Sequence, residues 1–231
     1  MDQVRLGIHQ KNKPDTNYAY TYGSTLQIAS DMVLDADFDE KQDVAIISPD
    51  DSMDDAEPEP ELRADDFEAM KKRYMADLPD LEVESEAVHT WEIEGWRTMM
   101  RREHGPVFKA GEHPWRVLFF PTGNNVDHAS FYLEHGFEDK PPEGWYACVQ
   151  FMLVLWNPND PTIHIPHTAT HRFTSEEGDW GFTRFAELRR IFAPRYDERD
   201  RPMVENDAAR MTAFVRIVKD PTGVLWHNFI K

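Results

Sequence analysis

The stretch GWYACVQFMLVLWNPND, residues 144–160, is apolar almost throughout. A strand with one wet face alternates polar and apolar residues. A near-continuous apolar run bounded by turn residues reads as a central strand covered on both faces. Gly144 opens this run, and Asn157, Pro158, Asn159 and Asp160 close it. Working outward, TIHIPHTATHRFT (162–174) is rich in β-branched residues, with Pro166 expected to bend or interrupt it. PWRVLFFP (114–121) is bounded by prolines and puts Trp115, Val117 and Phe119 on one face. SFYLEHG (130–136) is a shorter strand, and MTAFVRIVKD (211–220) a last one. In HTWEIEGW (89–96), His89, Trp91 and Ile93 alternate with Thr90, Glu92 and Glu94. FTRFAELRRIFAP (182–194) reads as a short helix ended by Pro194. Six to eight short strands with one helical insert predict an all-β fold, an antiparallel β-sandwich.

Charge divides the chain. Residues 1–87 hold 23 Asp/Glu and 8 Lys/Arg, a net of −15, and residues 88–231 hold 20 and 17, a net of −3. All seven Trp follow residue 88. The expected organisation is therefore an acidic arm over 1–87 and a folded domain over 88–225. Within the arm, DADFDEKQDVAIISPDDSMDDAEPEPE (35–61) buries too little apolar surface to offset ordering entropy and is expected to be disordered. A short helix is expected over 65–78, with Asp65 and Glu68 at capping-box spacing and Phe67, Met70 and Tyr74 on one face. Pro79 stops it.

The bulk numbers exclude several classes. A net charge of −18 repels nucleic-acid phosphates. No run of 18 apolar residues crosses a membrane, and the first residues lack the apolar stretch of a signal peptide. The single cysteine, Cys148, excludes an internal disulfide and favours a reducing compartment; the location expected is intracellular, nucleus and/or cytoplasm. It lies inside an apolar strand and is not a candidate nucleophile.

HTWEIEGW (89–96), PWRVLFFP (114–121), GDWGF (178–182) and FVRIVKD (214–220) resemble a MATH, or TRAF-like, domain. They are most similar to the one at the N-terminus of the herpesvirus-associated ubiquitin-specific proteases. DWGF after an acidic loop is the most specific element. The resemblance covers about residues 88–225, and PTGVLWHNFIK (221–231) resembles the run toward a catalytic domain, with 226–231 as the start of a linker. The family's catalytic Cys box has no counterpart in these residues. The resemblance implies a module without catalytic residues, metal or cofactor. It would bind short extended peptides of Pro/Ala/Glu-x-x-Ser pattern along a sheet edge and deliver partners to a deubiquitinase.

Mapped onto this chain, the resemblance implies a site at Asp179, Trp180, Gly181, Phe182 and Thr183. Asp179, acceptor-only when ionised, takes a bond from a ligand Ser hydroxyl. Trp180 offers a flat face to a Pro or Ala. Gly181 lets the ligand backbone approach closely. Phe182, partly in the core, steadies Trp180, and Thr183 lends backbone groups to the added strand. Two further positions follow by alignment: His167, where family members hold an Arg, and Lys109, a basic residue before the PW strand. The competing reading of the same residues is an ordinary strand-to-helix turn, with Asp179 a cap and Trp180 core.

Rival chemistry is thin. His164, His167 and His171 form H-x2-H-x3-H, but on an extended strand His164 faces away from the other two. Glu103-His104 and Glu134-His135 precede glycines and read as turns. A trimerising scaffold needs a coiled coil of three or four heptads, longer than the helix in the arm, so a monomer is expected.

Overall fold

The computed structural model describes residues 61–220. The expected disorder over 35–61 lies, but for Glu61, outside the described residues, and so does the linker expected over 226–231. The chain runs through helix α1 (Phe67–Tyr74), then strands β1 (Val83–Glu94), β2 (Glu103–His104), β3 (Phe108–Ala110), β4 (His113–Phe120) and β5 (His128–His135). It continues through β6 (Tyr146–Asn157), β7 (Asp160–Thr174), β8 (Asp179–Glu187), helix α2 (Leu188–Ile191) and β9 (Ala208–Val218). The fold is the expected antiparallel β-sandwich. One sheet has the order β1-β9-β6-β7 and the other β2-β4-β5-β8, with β3 added on β4.

β6 is the central strand, hydrogen-bonded to β7 on one side and β9 on the other. Its two faces are covered by different things. Val149, Phe151, Leu153 and Leu155 point into the main core between the sheets. Met152, Val154 and Trp156 point outward and are buried with Ala64, Met70, Met75 and Phe214. So α1 and its flanking residues form a third layer over the first sheet. Burying a side chain such as Met70 in this way contributes about 2 kcal/mol. Hydrogen bonds run through the layer: Trp156 Nε1 donates to Thr212 Oγ1 at 2.9 Å, Thr90 and Thr212 share a hydroxyl bond of 2.9 Å, and Gln150 Nε2 donates to the Pro79 carbonyl at 2.5 Å.

Several expectations need correction. The boundary placed at residue 88 falls inside β1, which starts at Val83 and pairs with β9 along its length. The helix expected over 65–78 is confined to Phe67–Tyr74 and capped by Asp66, whose carboxylate accepts from the Ala69 N–H at 3.1 Å. Asp65 instead pairs with Arg63. Pro166 does not interrupt β7, because β7 is an edge strand among the described residues and a missing N–H costs nothing on the unpaired side. Residues 182–187 are strand rather than helix, since β8 pairs with β5, and only Leu188–Ile191 are helical. Glu103-His104 and Glu134-His135 lie in β2 and β5, not in turns.

Between the sheets the core is aromatic. Phe119 and Phe131 stack at 4.2 Å, Trp96 meets Phe119 edge-on at 4.6 Å, and Trp115 meets Phe173 edge-on at 4.8 Å. Trp96 Nε1 donates to the Pro121 carbonyl at 3.1 Å.

Candidate functional site

EEGDWGF (176–182) closes the turn from β7 and starts β8. Thr174 organises the turn: its Oγ1 accepts from the N–H groups of Glu176 (3.3 Å) and Glu177 (3.1 Å), and its own N–H donates to the Glu177 carbonyl at 3.1 Å. Lys140 Nζ holds Glu176 at 2.8 Å. A Cβ at Gly178 would fall 2.6 Å from the His135 ring, so only glycine lets the turn close.

β8 then runs along the margin of the second sheet. It pairs with β5 and with no other strand among the described residues. Register fixes which side chains share a face. Asp179 lies opposite Glu134, Trp180 opposite Leu133, Gly181 opposite Tyr132 and Phe182 opposite Phe131. Trp180 and Phe182 therefore turn toward the seam with β7, while Asp179, Gly181 and Thr183 belong to the outer face.

Trp180 is 38% exposed, so it is no core residue. Its indole stacks on the His171 imidazole, with centroids 4.1 Å apart and planes within 5°. His171 is fully buried, and burial lowers its pKa to about 4, so the ring backing the tryptophan is neutral at ordinary pH. Glu177 Oε2 lies 3.9 Å from His171 Nε2. Phe182 is half-buried and packs on His167 at 4.8 Å and on Phe151 at 6.3 Å. Asp179 is exposed, yet burial of its carboxyl and the neighbouring Glu134 raise its pKa, against the lowering pull of Arg102 and His135.

Three expected roles change. A Cβ at Gly181 would sit 2.3 Å from the Phe131 carbonyl oxygen and 2.5 Å from Tyr132 Cα. The close approach that requires glycine is that of β5, not of a ligand. The Thr183 carbonyl accepts from Ser130 Oγ at 2.5 Å, and Thr183 Oγ1 bonds Tyr132 Oη at 2.8 Å, so this carbonyl is engaged within the sheet. His167 donates Nε2–H to the Phe185 carbonyl at 3.0 Å and packs on Phe185 at 4.5 Å. Burial lowers its pKa. It is a tie between the β7 and β8 margins rather than a charged wall of a groove.

Lys109 is exposed on β3, opposite Pro114 of β4. β3, β4, β5 and β8 lie in that order, so Lys109 stands about 14 Å from β8 at the usual strand spacing. The structure does not bring it together with DWGF.

Sequence reasoning missed a charged group that the fold places beside Asp179. Glu134, whose side chain is 10% exposed, receives Arg116 Nε at 2.5 Å and Arg102 Nη2 at 3.3 Å, with His104 Nε2 at 3.3 Å. The signal was available as charges alternating with apolar residues in WRV and LEH, but their meeting depends on the β4–β5 register.

No group of three or more His, Cys, Asp or Glu among the described residues has metal-binding geometry. Cys148 is buried, and burial raises its thiol pKa. No helix among the described residues is long and apolar enough to cross a membrane.

A family model, the MATH domain, matches residues 88–207. The chain belongs to the MATH domain family. Relatives of this MATH chain include ubiquitin carboxyl-terminal hydrolase 15 of Schizosaccharomyces pombe, 38% identical over 194 residues. That match covers 73% of this chain and 17% of the relative. Ubiquitin carboxyl-terminal hydrolase 5 of the same organism is 38% identical over 156 residues, covering 66% of this chain and 14% of the relative. The TNF receptor-associated factor homolog 1a of Arabidopsis thaliana is 34% identical over 105 residues, covering 45% and 10%. Among solved structures, Notothenia coriiceps TRAF5 is similar with a TM-score of 0.43 and 15% identity, over 58% of this chain and 75% of that one. The chain thus spans less than a fifth of the length of these hydrolases. MATH domains are protein-interaction domains related to segments of both ubiquitin hydrolases and TRAF proteins, and a MATH domain is what the matches identify here.

Proposed function

We propose that this MATH domain, acting as a monomer, binds short extended peptides of Pro/Ala/Glu-x-x-Ser type along the open margin of β8. The observation that carries the reading is β8 itself: an edge strand with an exposed indole and a carboxylate at its start. An edge strand leaves main-chain N–H and C=O groups for an added strand, which supplies affinity without reading sequence. Trp180, braced by His171, gives a flat apolar face for a Pro or Ala. Asp179 accepts from a Ser hydroxyl on the outer side. Where the domain forms part of a ubiquitin-specific protease, it recruits that enzyme's substrates, and the peptide site itself carries no catalysis.

A site of this size gives affinity on the order of micromolar, about −8 kcal/mol. The test is a fluorescence-polarisation titration of a labelled Pro-x-x-Ser peptide against its twin with alternate backbone nitrogens methylated. The plain peptide binds and the methylated one does not, because the added strand loses its donors. Equal binding of the two removes strand addition from the reading.

A further inference from the structure

The His135 N–H donates to the Gly178 carbonyl at 3.0 Å, and the β5–β8 register keeps that alignment as far as Phe131 and Phe182. In an antiparallel ladder the bonded pairs recur at every second residue. So Trp180 and Phe182 turn their N–H and C=O groups to β5, and Asp179 and Gly181 turn theirs to the open margin. On one side of this stretch the Glu177 carbonyl is already taken, by the Thr174 N–H at 3.1 Å. On the other side the register slips. Phe131 faces Phe182 and Ala129 faces Ala186, so a step of two residues on β5 meets a step of four on β8, a bulge. Within the bulge the Thr183 carbonyl accepts from Ser130 Oγ at 2.5 Å, and the Phe185 carbonyl accepts from His167 Nε2–H at 3.0 Å. His167 belongs to β7, so it reaches across the seam that an added strand would follow.

We propose that the bulge and His167 act as a stop, which confines main-chain pairing to two ligand residues, the Ser and the one two places before it. This rests on the peptide reading above. Residues facing each other across a ladder share a face of the sheet. With the Ser opposite Asp179, an antiparallel ligand sets its next residues upstream against Trp180, Gly181 and Phe182 in turn. The one opposite Phe182 lies on the seam side with Trp180, and Phe182 offers it no main-chain group, so a Pro there loses no bond. A parallel ligand would carry that residue toward Glu176, away from the indole. Residues further upstream meet the bulge and the His167 clasp and leave the sheet. His167 is a positioning residue: it holds Phe185, and through that carbonyl it fixes where the ligand strand ends.

The experiment uses the whole chain and a labelled Pro-x-x-Ser peptide with about five residues ahead of the Pro, methylated at one backbone nitrogen at a time. Methylation at the Ser, or two places before it, weakens binding about tenfold or more. Methylation one place before the Ser, or anywhere ahead of the Pro, changes it by less than about twofold. A tenfold loss from methylation ahead of the Pro means that the strand runs on past the bulge; it overturns the stop and leaves the peptide reading intact. Loss at the residue just before the Ser, with its two neighbours tolerant, overturns the register. No effect at any nitrogen removes strand addition, and the reading beneath the proposal with it. His167→Phe keeps a ring against Phe182 and Phe185 and gives up the N–H, so the Phe185 carbonyl opens to the ligand. In that variant the long peptide binds about fivefold tighter than the same peptide cut at its Pro, whereas the unmutated chain binds the two alike. Equal binding in the variant takes His167 out of the stop. Should the variant fail to fold, the methylation series on the unmutated chain still decides whether the strand ends at the bulge.

Discussion

β6 and β8 are neighbours in the sandwich and opposites in circumstance. β6 is bonded on both sides and buried on both faces, by the second sheet and by α1. Among the described residues β8 is bonded on one side only, and it leaves Trp180 and Asp179 in contact with solvent. Every side chain of β6 from Ala147 to Asn157 is buried, while β8 alternates between core contacts and open positions. Changes in β6 should therefore be felt as stability, and changes at the start of β8 as binding.

The largest effect belongs to β6. Phe151→Ala empties a fully buried site and should cost about 4 kcal/mol of unfolding free energy in urea denaturation. A loss below about 1 kcal/mol would erase the contrast with β8.

Next comes His171, which belongs to both regions because it faces β6 at Val149 and backs Trp180. Its folded pKa, about 4, lies below the ordinary 6.5. The unfolded chain therefore takes up the proton first as pH falls. Stability falls between about pH 6.5 and 4 and levels off below, by up to roughly 3 kcal/mol. Denaturation midpoints across this window measure the effect, and His171→Phe should flatten the curve.

Trp180→Ala should leave the denaturation midpoint nearly unchanged and weaken the Pro-x-x-Ser peptide by about 2 kcal/mol, roughly thirtyfold. A large stability loss instead would return Trp180 to the core.

The smallest effect is at Asp179. Asp179→Asn should weaken the Ser peptide about threefold, since the amide oxygen still accepts a bond without charge assistance. Phosphorylating that Ser should abolish binding to the unmutated domain, and the substitution should narrow the gap. Because burial and Glu134 raise the Asp179 pKa, its ionised form costs the fold some stability at neutral pH. Asp179→Asn should then raise the thermal midpoint slightly. Tighter binding of the phosphopeptide to the unmutated chain would sink the role given to Asp179.

The same contrast explains what could be read from the sequence. β6 was plain because burial on both faces leaves an unbroken apolar run. DWGF was findable through its resemblance to the MATH family, since the residues alone suit an ordinary strand-to-helix turn. FTRFAELRR was misread because its apolar spacing suits a helix, and only pairing with β5 decides for strand. β2 and β3 are too short for a periodicity to register. Pro166 looked like a breaker because sheet order, which puts β7 at a margin, is not written in local sequence. Gly181 was given to the ligand for the same reason: its crowding comes from a strand about fifty residues away. The Glu134 cluster joins three strands and a loop, so it needed registers before it could be seen.

The third layer has a practical side. The family match begins at residue 88, yet Ala64, Met70 and Met75 lie beneath the surface with Met152, Val154 and Phe214. A fragment cut to the family's boundary would lose the first five residues of β1 and uncover a greasy stripe along the middle of the sheet. Such fragments are prone to clump, and their self-association would be mistaken for a trimer of the TRAF kind. Anyone weighing this domain in solution should start the chain no later than Glu61.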